Sequence, residues 1–209
     1  MRTPPRRTQR ERTEESARRL AAAAIELIVE KGYANTTARE IGLRAGYSRA
    51  MVAERFGTKD ALLDTILERN YERRIDVDPA PSATGFDRLL APIDALYTFA
   101  KEDPQLLRAM FILNFEAVHD PGVLRGRIQR WLAGFVARLA EAVRVGQADG
   151  SVTCDVDAED ASQEILATGI GYAYLWIVTP DEFDVESTLA HWRNRVANSL
   201  RPRSGAHTA

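Results

Sequence analysis

Arginine and hydroxyl side chains are concentrated in the stretch TTAREIGLRAGYSRAMVAERFGTKDALL, residues 36 to 63. A guanidinium group can form two parallel hydrogen bonds with guanine in the major groove, and the N–H groups and cap hydroxyl at a helix start suit a phosphate. These residue types therefore predict contacts to a nucleic acid. The candidates are Thr37 and Ser48 for phosphates, and Arg49, Met51, Glu54 and Arg55 for the exposed face that meets the bases.

Three helix starts within this one stretch must position those side chains. Thr37 can cap AREIGLRA, Gly46 breaks that helix, and Ser48 can cap RAMVAERF soon after the break. So tight a join predicts a helix-turn-helix. Helices this short need outside support, because isolated helices of fewer than about 12 residues are marginal in water. The apolar positions expected to supply that support are Ile41, Ala45, Val52 and Phe56.

Helical periodicity continues on both sides of this stretch. It predicts a first helix over 14–31, with Thr13 as its cap and Gly32 at its end, and a long helix from Thr58 to about Arg74. The segment IDVDPAPSATG after it has the composition of a linker. The predicted domains are a disordered basic arm (1–12), a three-helix DNA-binding domain (13–57), a connecting helix (58–74) and a C-terminal domain (75–209).

The C-terminal domain also has the pattern of helices, predicted at 86–102, 104–118, 121–148, 157–178 and 184–199. Asp103-Pro104 and Asp120-Pro121 each place a capping carboxylate before a proline at the first helical position. Only SVTCDV, at 151–156, alternates as a strand does, and one short strand has no partner. We therefore predict an all-α protein of about nine helices.

Charge is unevenly distributed along the 209 residues. Lys and Arg outnumber Asp and Glu over 1–74, for a net charge of +5, whereas 75–209 carries a net charge of −7. A basic first third suggests a polyanion partner for that part of the chain only. Chance clustering of solvated charges is the alternative.

Motifs of enzymes and metal sites are missing from the sequence. It contains no glycine-rich phosphate loop and no nucleophile elbow, and His119, His191 and His207 have no metal-ligand spacing. The single Cys154 excludes an internal disulfide and a cysteine-based zinc site. The longest apolar stretch, 165–178, is shorter than the roughly 20 residues that span a bilayer. We expect a soluble cytoplasmic protein that is not an enzyme and needs no metal, cofactor or membrane.

Residues 14 to 63 resemble the tetracycline-repressor-like (TetR) family of transcriptional regulators. The resemblance rests on an alanine-rich first helix followed in order by KGYANTT, REI-x-x-RAG, S-R and FGTKDAL. It implies a helix-turn-helix that binds DNA, and it implies that Lys59, beside Thr58, reaches a phosphate. For the remaining two thirds it implies a variable helical body that binds a small molecule and dimerises through its last two long helices.

The sequence departs from the family pattern on and beside the second helix of the motif. Tyr47 replaces a small aliphatic residue, Gly42 replaces alanine, and Ala53 replaces a tyrosine that commonly touches the DNA backbone. Glu54 adds a negative charge close to phosphates. These departures support an alternative function, a helical small-molecule-binding protein whose helix-turn-helix no longer reads DNA specifically. An architectural DNA-binding protein without a ligand is a second alternative.

Helix 104–118 is apolar on too many faces for a surface helix and should run through the centre of the body. Asn114 interrupts its apolar run and is predicted to orient a ligand. A fully packed core is the alternative, which the family resemblance disfavours. No charged cluster accompanies the candidates, so we expect a mostly hydrophobic ligand. The candidate pocket residues are Tyr97, Met110, Phe111, Asn114, Phe115, Trp131, Phe135, Tyr172 and Trp176.

The last two long helices are the predicted dimer interface. Gly169 and Gly171 permit close helix approach, and a second apolar stripe is formed by Leu189, Trp192 and Val196. Pairing both helices with their copies would present two reading helices to a two-fold operator. The alternative is that both helices close their own monomer. The sequence thus predicts a homodimeric regulator, a repressor that leaves its double-stranded DNA operator when a small-molecule effector binds.

Overall fold

The computed structural model describes residues 8–75, 80–119 and 122–202, and within these ranges the chain forms nine helices and no strand. The predicted all-α architecture is therefore confirmed. Eight of the helices are α1 (Gln9–Lys31), α2 (Ala38–Arg44), α3 (Met51–Phe56), α5 (Gly85–Glu102), α6 (Pro104–Glu116), α7 (Val123–Asp149), α8 (Ala158–Val178) and α9 (Val185–Leu200).

The remaining helix, α4, connects the two parts of the molecule and changes its hydrogen-bonding pattern on the way. It begins as an α-helix at Lys59–Ile66, continues through a π-helical turn at Leu67–Glu72 and ends at Arg73–Ile75. A π-turn bonds each N–H to the carbonyl five residues back, so it rotates the side chains that follow relative to an uninterrupted α-helix. It also brings Tyr71 into the core, where the side chain is buried.

The first helix begins earlier than predicted. Thr8 caps α1 through a reciprocal capping box with Glu11, so Thr13 is not the cap and residues 9–12 are helical rather than disordered. An ion pair between Arg10 and Glu14 supports the added turn. The part of the predicted arm at 1–7 lies outside the described residues.

The turn of the helix-turn-helix follows from Gly46. Its φ of 78° lets the Tyr47 N–H bond to the Gly42 carbonyl at 2.9 Å and its own N–H bond to the Leu43 carbonyl at 3.0 Å, which is a Schellman ending. Thr37 caps α2 as predicted. The predicted cap at Ser48 is wrong, because α3 begins after Ala50 without any side-chain cap.

Helix α6 runs through the centre of the body, as its composition predicted. Its start is confirmed at Asp103, whose carboxylate accepts a hydrogen bond from the Leu106 N–H, with Pro104 in the first turn. The predicted cap at Asp120-Pro121 lies outside the described residues, and α7 begins at Val123. The strand-like segment 151–156 forms turns that join α7 to α8. The buried residues of α6 are Leu106, Leu107, Ala109, Met110, Phe111 and Leu113.

Helices α8 and α9 only partly match the predicted interface stripes. Leu189, Trp192 and Val196 are buried within their own chain, and a Cβ on Gly169 would lie 3.1 Å from the Trp192 ring. That second stripe therefore packs inside the protomer. A different apolar stripe of α8 faces outward at helical spacing, and its members are Ala167, Gly171, Tyr174, Leu175 and Val178.

Candidate DNA-binding surface and ligand cavity

The exposed face of the helix-turn-helix is narrower than the sequence predicted. Arg49 is exposed, and its guanidinium makes no hydrogen bond or ion pair to the described residues. Glu54 is exposed as well, whereas Met51 packs against the core and is only partly accessible. The Nε atom of Arg55 is buried without a hydrogen-bond partner among the described residues. Arg49 is therefore the best placed of the predicted residues to reach a base edge.

The structure shows what surrounds the two residues predicted to contact phosphates at helix starts, Thr37 and Ser48. The Thr37 hydroxyl and N–H both donate to the Glu40 carboxylate, at 2.7 and 3.0 Å, so a phosphate would have to displace that carboxylate. Lys31 and Thr37 together hold the pKa of Glu40 at about 2, below its ordinary value of 4.5. Ser48 is exposed in the turn but begins no helix.

Lys59 joins α4 to the loop between α1 and α2. Its ammonium donates to the carbonyl oxygens of Tyr33 and Thr36, at 2.9 and 2.8 Å, and lies 3.8 Å from the centre of the Tyr33 ring. The Tyr33 hydroxyl donates in turn to Asp60. Lys59 thus has a structural role that the sequence did not reveal, and its contact to a phosphate stays a prediction.

The same loop is bound from the body by Glu116, the last residue of α6. Its carboxylate accepts hydrogen bonds from the N–H groups of Tyr33, at 2.8 Å, and Ala34, at 3.2 Å. Gly32 makes room for it, because a Cβ there would lie 1.9 Å from a carboxylate oxygen. We call residues 32–36 the joint loop, since they connect α1 and α2 to both α4 and α6.

An apolar cavity of about 50 Å³ lies inside the body. Four of the predicted pocket residues line it: Phe111, Asn114, Trp131 and Phe135. The Trp131 and Phe135 rings stack with centroids 5.3 Å apart, and the Tyr71 ring lies 5.1 Å from Trp131 on another side. The other lining residues are Ile75, Pro92, Ile93, Leu96, Leu132, Leu139, Ile165, Leu166, Gly169, Ile170 and Trp192.

The other five predicted pocket residues lie elsewhere. Tyr97 contacts the Lys101 ammonium, and Met110 is fully buried in the core without lining the cavity. Phe115 packs edge-on against Tyr174. Met110 is fully buried and Tyr97 and Phe115 are half-buried, but burial alone does not place a side chain at a cavity. Tyr172 faces a groove between α8 and α9, and Trp176 packs against Arg108.

Tyr71, Ile75 and Pro92 are cavity residues that sequence reasoning missed. Tyr71 lies in the part of α4 that was predicted only as a connector, and Ile75, which ends α4, was predicted to begin the linker. Pro92 lies inside α5, where its missing N–H leaves the helix one hydrogen bond short. That internal proline was the one signal in the sequence that could have indicated a wall of a site. Two of the helices around the cavity therefore carry backbone irregularities beside it.

The described residues contain no group of three or more His, Cys, Asp or Glu side chains arranged to hold a metal ion. No helix within the described ranges combines the length and the apolar composition that a membrane span requires.

The fold and these surfaces define a helix-turn-helix protein with an α-helical C-terminal domain. Residues 20–66 match the family model of bacterial regulatory proteins of the tetR family. Residues 86–201, more than half of the chain, match the model of the C-terminal domain of BetI-type transcriptional repressors. The chain therefore belongs to the TetR family of transcriptional regulators, which are non-enzymatic DNA-binding proteins.

Individual relatives support the same assignment. The HTH-type transcriptional regulator SrpR of Pseudomonas putida is 24% identical over 162 residues, which cover 76% of this chain and 75% of SrpR. The regulator CymR of the same organism is 41% identical over 71 residues, about a third of each chain. The structure of SmeT in complex with triclosan superposes with a TM-score of 0.73 at 22% identity, covering 90% of this chain and 93% of SmeT.

Proposed function

We propose that this protein is a homodimeric repressor that binds a palindromic operator and leaves it when a mostly hydrophobic small molecule enters the cavity. The observation that carries the proposal is the joint loop. Its N–H groups are bound by Glu116 of α6, and its carbonyl groups are bound by Lys59 of α4. A change in the position of either helix therefore has a direct mechanical route to α2 and α3.

The ligand part of the proposal is supported by the apolar lining of the cavity and by irregular backbone in its walls. A cavity of about 50 Å³ is far smaller than the roughly 150 Å³ that accommodates a benzene molecule. Any ring compound must therefore displace the walls. The π-turn of α4 and the Pro92 position of α5 are wall segments in which the backbone hydrogen bonding departs from that of a regular α-helix. SmeT, which shares this fold, is a structural neighbour whose structure was solved as a complex with triclosan.

The dimer follows from the exposed stripe of α8. Tyr174, Leu175 and Val178 are 51%, 43% and 56% exposed, which is unusual for large apolar residues on one helix face. A second copy of this chain would cover them through a two-fold interface. Such an interface presents two helix-turn-helix motifs to two half-sites, and a two-fold operator is the matching DNA.

Binding selection followed by ligand release is the decisive experiment. Fragments bound by the purified protein are selected from genomic DNA, and affinity for the best fragment is measured by fluorescence anisotropy at several salt concentrations. Apolar compounds that raise the thermal midpoint are then added. We expect tight, salt-dependent binding to one palindrome and release on addition of ligand. Binding without sequence preference would favour the architectural alternative, and ligand binding without any DNA binding would favour the small-molecule-binding alternative.

Glu116→Ala tests the coupling route. The variant loses the hydrogen bonds to the joint loop, so we expect ligand still to bind but to change operator affinity by much less than in the native protein. Glu102→Ala is the matched control, because Glu102 ends α5 in an exposed position away from the joint loop. Circular dichroism verifies that both variants fold. If Glu116→Ala responds to ligand as fully as the control does, the route through the joint loop is refuted.

A further inference from the structure

Two buried polar atoms at the cavity have no hydrogen-bond partner among the described residues. They are the Oδ1 atom of Asn114 and the Nε1 atom of Trp131. Both residues line the cavity and also the narrow recess beside it. A buried donor or acceptor left unpaired costs about 1 to 3 kcal/mol, so an acceptor and a donor in one small cavity require an explanation.

The orientation of the Asn114 amide is fixed by its own helix. Its Nδ2 atom donates to the Met110 carbonyl at 2.8 Å. The opposite orientation would bring two oxygen atoms together, so Oδ1 must be the atom that remains available. Trp131 can only donate, because an indole nitrogen carries a hydrogen and has no lone pair in the ring plane. The edge of the cavity thus holds one acceptor and one donor, both buried, so a ligand reaches them only once the walls have moved.

The charges near this polar edge do not suit an anion. Arg127 lines the recess, and its guanidinium contacts Glu72 at 2.5 Å and Asp64 at 3.2 Å. Two carboxylates around one guanidinium leave a surplus negative charge, which would repel an anionic ligand. The remaining surroundings are apolar and aromatic. A neutral polar group on an aromatic body is the chemistry that matches both parts of the cavity.

We propose that the cavity recognises neutral hydroxylated aromatic compounds, with the ligand hydroxyl donating to Asn114 Oδ1 and accepting from Trp131 Nε1. This inference rests on the proposed function, because it names the class of effector for the same cavity. A single hydroxyl has both functions, since it can donate one hydrogen bond and accept another. A phenol has a pKa near 10 and therefore remains neutral at pH 7. Its ring would pack among Tyr71, Phe111 and Phe135.

Three compounds of nearly equal shape separate the two hydrogen bonds. These are 4-propylphenol, 4-propylanisole and propylbenzene, with affinities measured by isothermal titration calorimetry. The anisole can accept from Trp131 but cannot donate to Asn114, and the hydrocarbon can do neither. We expect the dissociation constant to rise about tenfold at each step, since a tenfold change corresponds to about 1.4 kcal/mol and one net hydrogen bond is of that order.

Two variants test which residue is responsible for each of the two tenfold changes in the dissociation constant. Asn114→Leu should abolish the preference for the phenol over the anisole, and Trp131→Phe should abolish the preference for the anisole over the hydrocarbon. Tyr97→Phe and Trp176→Phe are matched controls, because neither residue lines the cavity, and both should retain the native order of affinities. Because only ratios within one variant are compared, a general loss of stability does not produce the expected pattern.

Each outcome decides between the two proposals. Equal affinities for the three compounds in the native protein would overturn the hydroxyl inference and would indicate that water occupies the polar atoms. If those compounds still release the operator, the proposed function stands. If the phenol binds best but leaves operator affinity unchanged, the hydroxyl site stands and the proposed function fails. Binding of none of the three compounds would overturn the hydroxyl inference, while operator binding is measured independently.

Discussion

At the scale of single residues, Lys59 and Arg49 carry similar charges but have different roles in this structure. Lys59 is tied to two carbonyl oxygens of the joint loop, whereas Arg49 is exposed and makes no contact to the described residues through its guanidinium. A substitution of Lys59 should therefore affect stability, while a substitution of Arg49 should affect DNA binding alone.

Lys59→Met and Arg49→Ala test this difference as a pair. We expect Lys59→Met to lower the free energy of unfolding by about 1 to 3 kcal/mol, because two charge-assisted hydrogen bonds are lost. Arg49→Ala should leave stability within about 0.5 kcal/mol and weaken binding to the preferred operator by about 1 to 3 kcal/mol. Urea denaturation and fluorescence anisotropy supply the two measurements. If Lys59→Met weakens DNA binding with no change in stability, Lys59 acts through a phosphate instead.

The lowered pKa of Glu40 predicts how the stability of the protein depends on pH. Its pKa in the folded protein is about 2, because Lys31 and Thr37 bond to the carboxylate, whereas the ordinary value is 4.5. A depressed pKa means that the folded state binds fewer protons, so the stability from Glu40 is present above pH 4.5 and is lost as the pH falls towards 2. The thermal midpoint of Glu40→Gln should lie below the native one at pH 6, and the difference should shrink near pH 3.

Glu54→Gln is the control for that titration. Glu54 is exposed on α3, and its carboxylate makes no hydrogen bond or ion pair to the described residues. Its substitution should leave the thermal midpoint nearly unchanged at both pH values. If the difference in thermal midpoint between the native protein and Glu40→Gln stays constant from pH 6 to pH 3, Glu40 is not the source of the pH dependence.

At the scale of elements, the turn between α2 and α3 depends on Gly42. A Cβ at this position would lie 2.4 Å from the Ser48 carbonyl oxygen, which is backbone and cannot rotate away. Alanine normally stabilises a helix by up to about 1 kcal/mol relative to glycine, but overpacking costs about 1 to 3 kcal/mol. We therefore expect Gly42→Ala to destabilise the protein and to weaken DNA binding, as measured by urea denaturation and anisotropy.

A glycine on another helix supplies the comparison. The nearest neighbour of a Cβ on Gly126 would be a flexible Arg130 side-chain atom at 3.6 Å, an ordinary contact. Gly126→Ala should therefore raise the free energy of unfolding by about 0.5 to 1 kcal/mol. Stabilisation by both substitutions would mean that the turn can adjust to a larger residue at position 42.

The helices were more predictable from sequence than the cavity they enclose. Periodicity and caps placed α5, α6, α8 and α9 to within about two residues, because those signals are local. The π-turn of α4 has no comparable local signal, so the burial of Tyr71 beside Trp131 could not be anticipated. Ser48 failed as a cap for a related reason: the Schellman ending of α2 carries the chain through Ala50 before a new helix can begin.

At the scale of the whole molecule, the exposed stripe of α8 predicts the oligomeric state. Leu175→Glu places a charge in the centre of that stripe, and burying an unpaired charge in a dimer is costly. We expect a monomer by light scattering at micromolar concentration, together with weaker operator binding. Val123→Glu is the control, because Val123 is 60% exposed at the start of α7 and does not belong to the α8 stripe.

A native protein that is already monomeric would refute the interface, and so would a Leu175→Glu variant that remains dimeric. The family resemblance implied an interface on the last two long helices, but the α9 stripe expected from its spacing is buried within its own chain. Leu189 and Trp192 have the spacing of an interface stripe, yet spacing alone cannot distinguish a surface covered by a partner from one covered by the same chain. Only the packing of α5 and α8 against α9 decides that question.

The small volume of the cavity also predicts the effector concentration at which the proposed regulator responds. Only molecules whose walls have opened can accept a ring compound, so the apparent dissociation constant is the intrinsic one divided by the open fraction. If about 1% of molecules are open, about a hundredfold more effector is needed. The response threshold then depends on how firmly the π-turn of α4 and the Pro92 segment of α5 hold the walls together, in addition to the ligand contacts themselves.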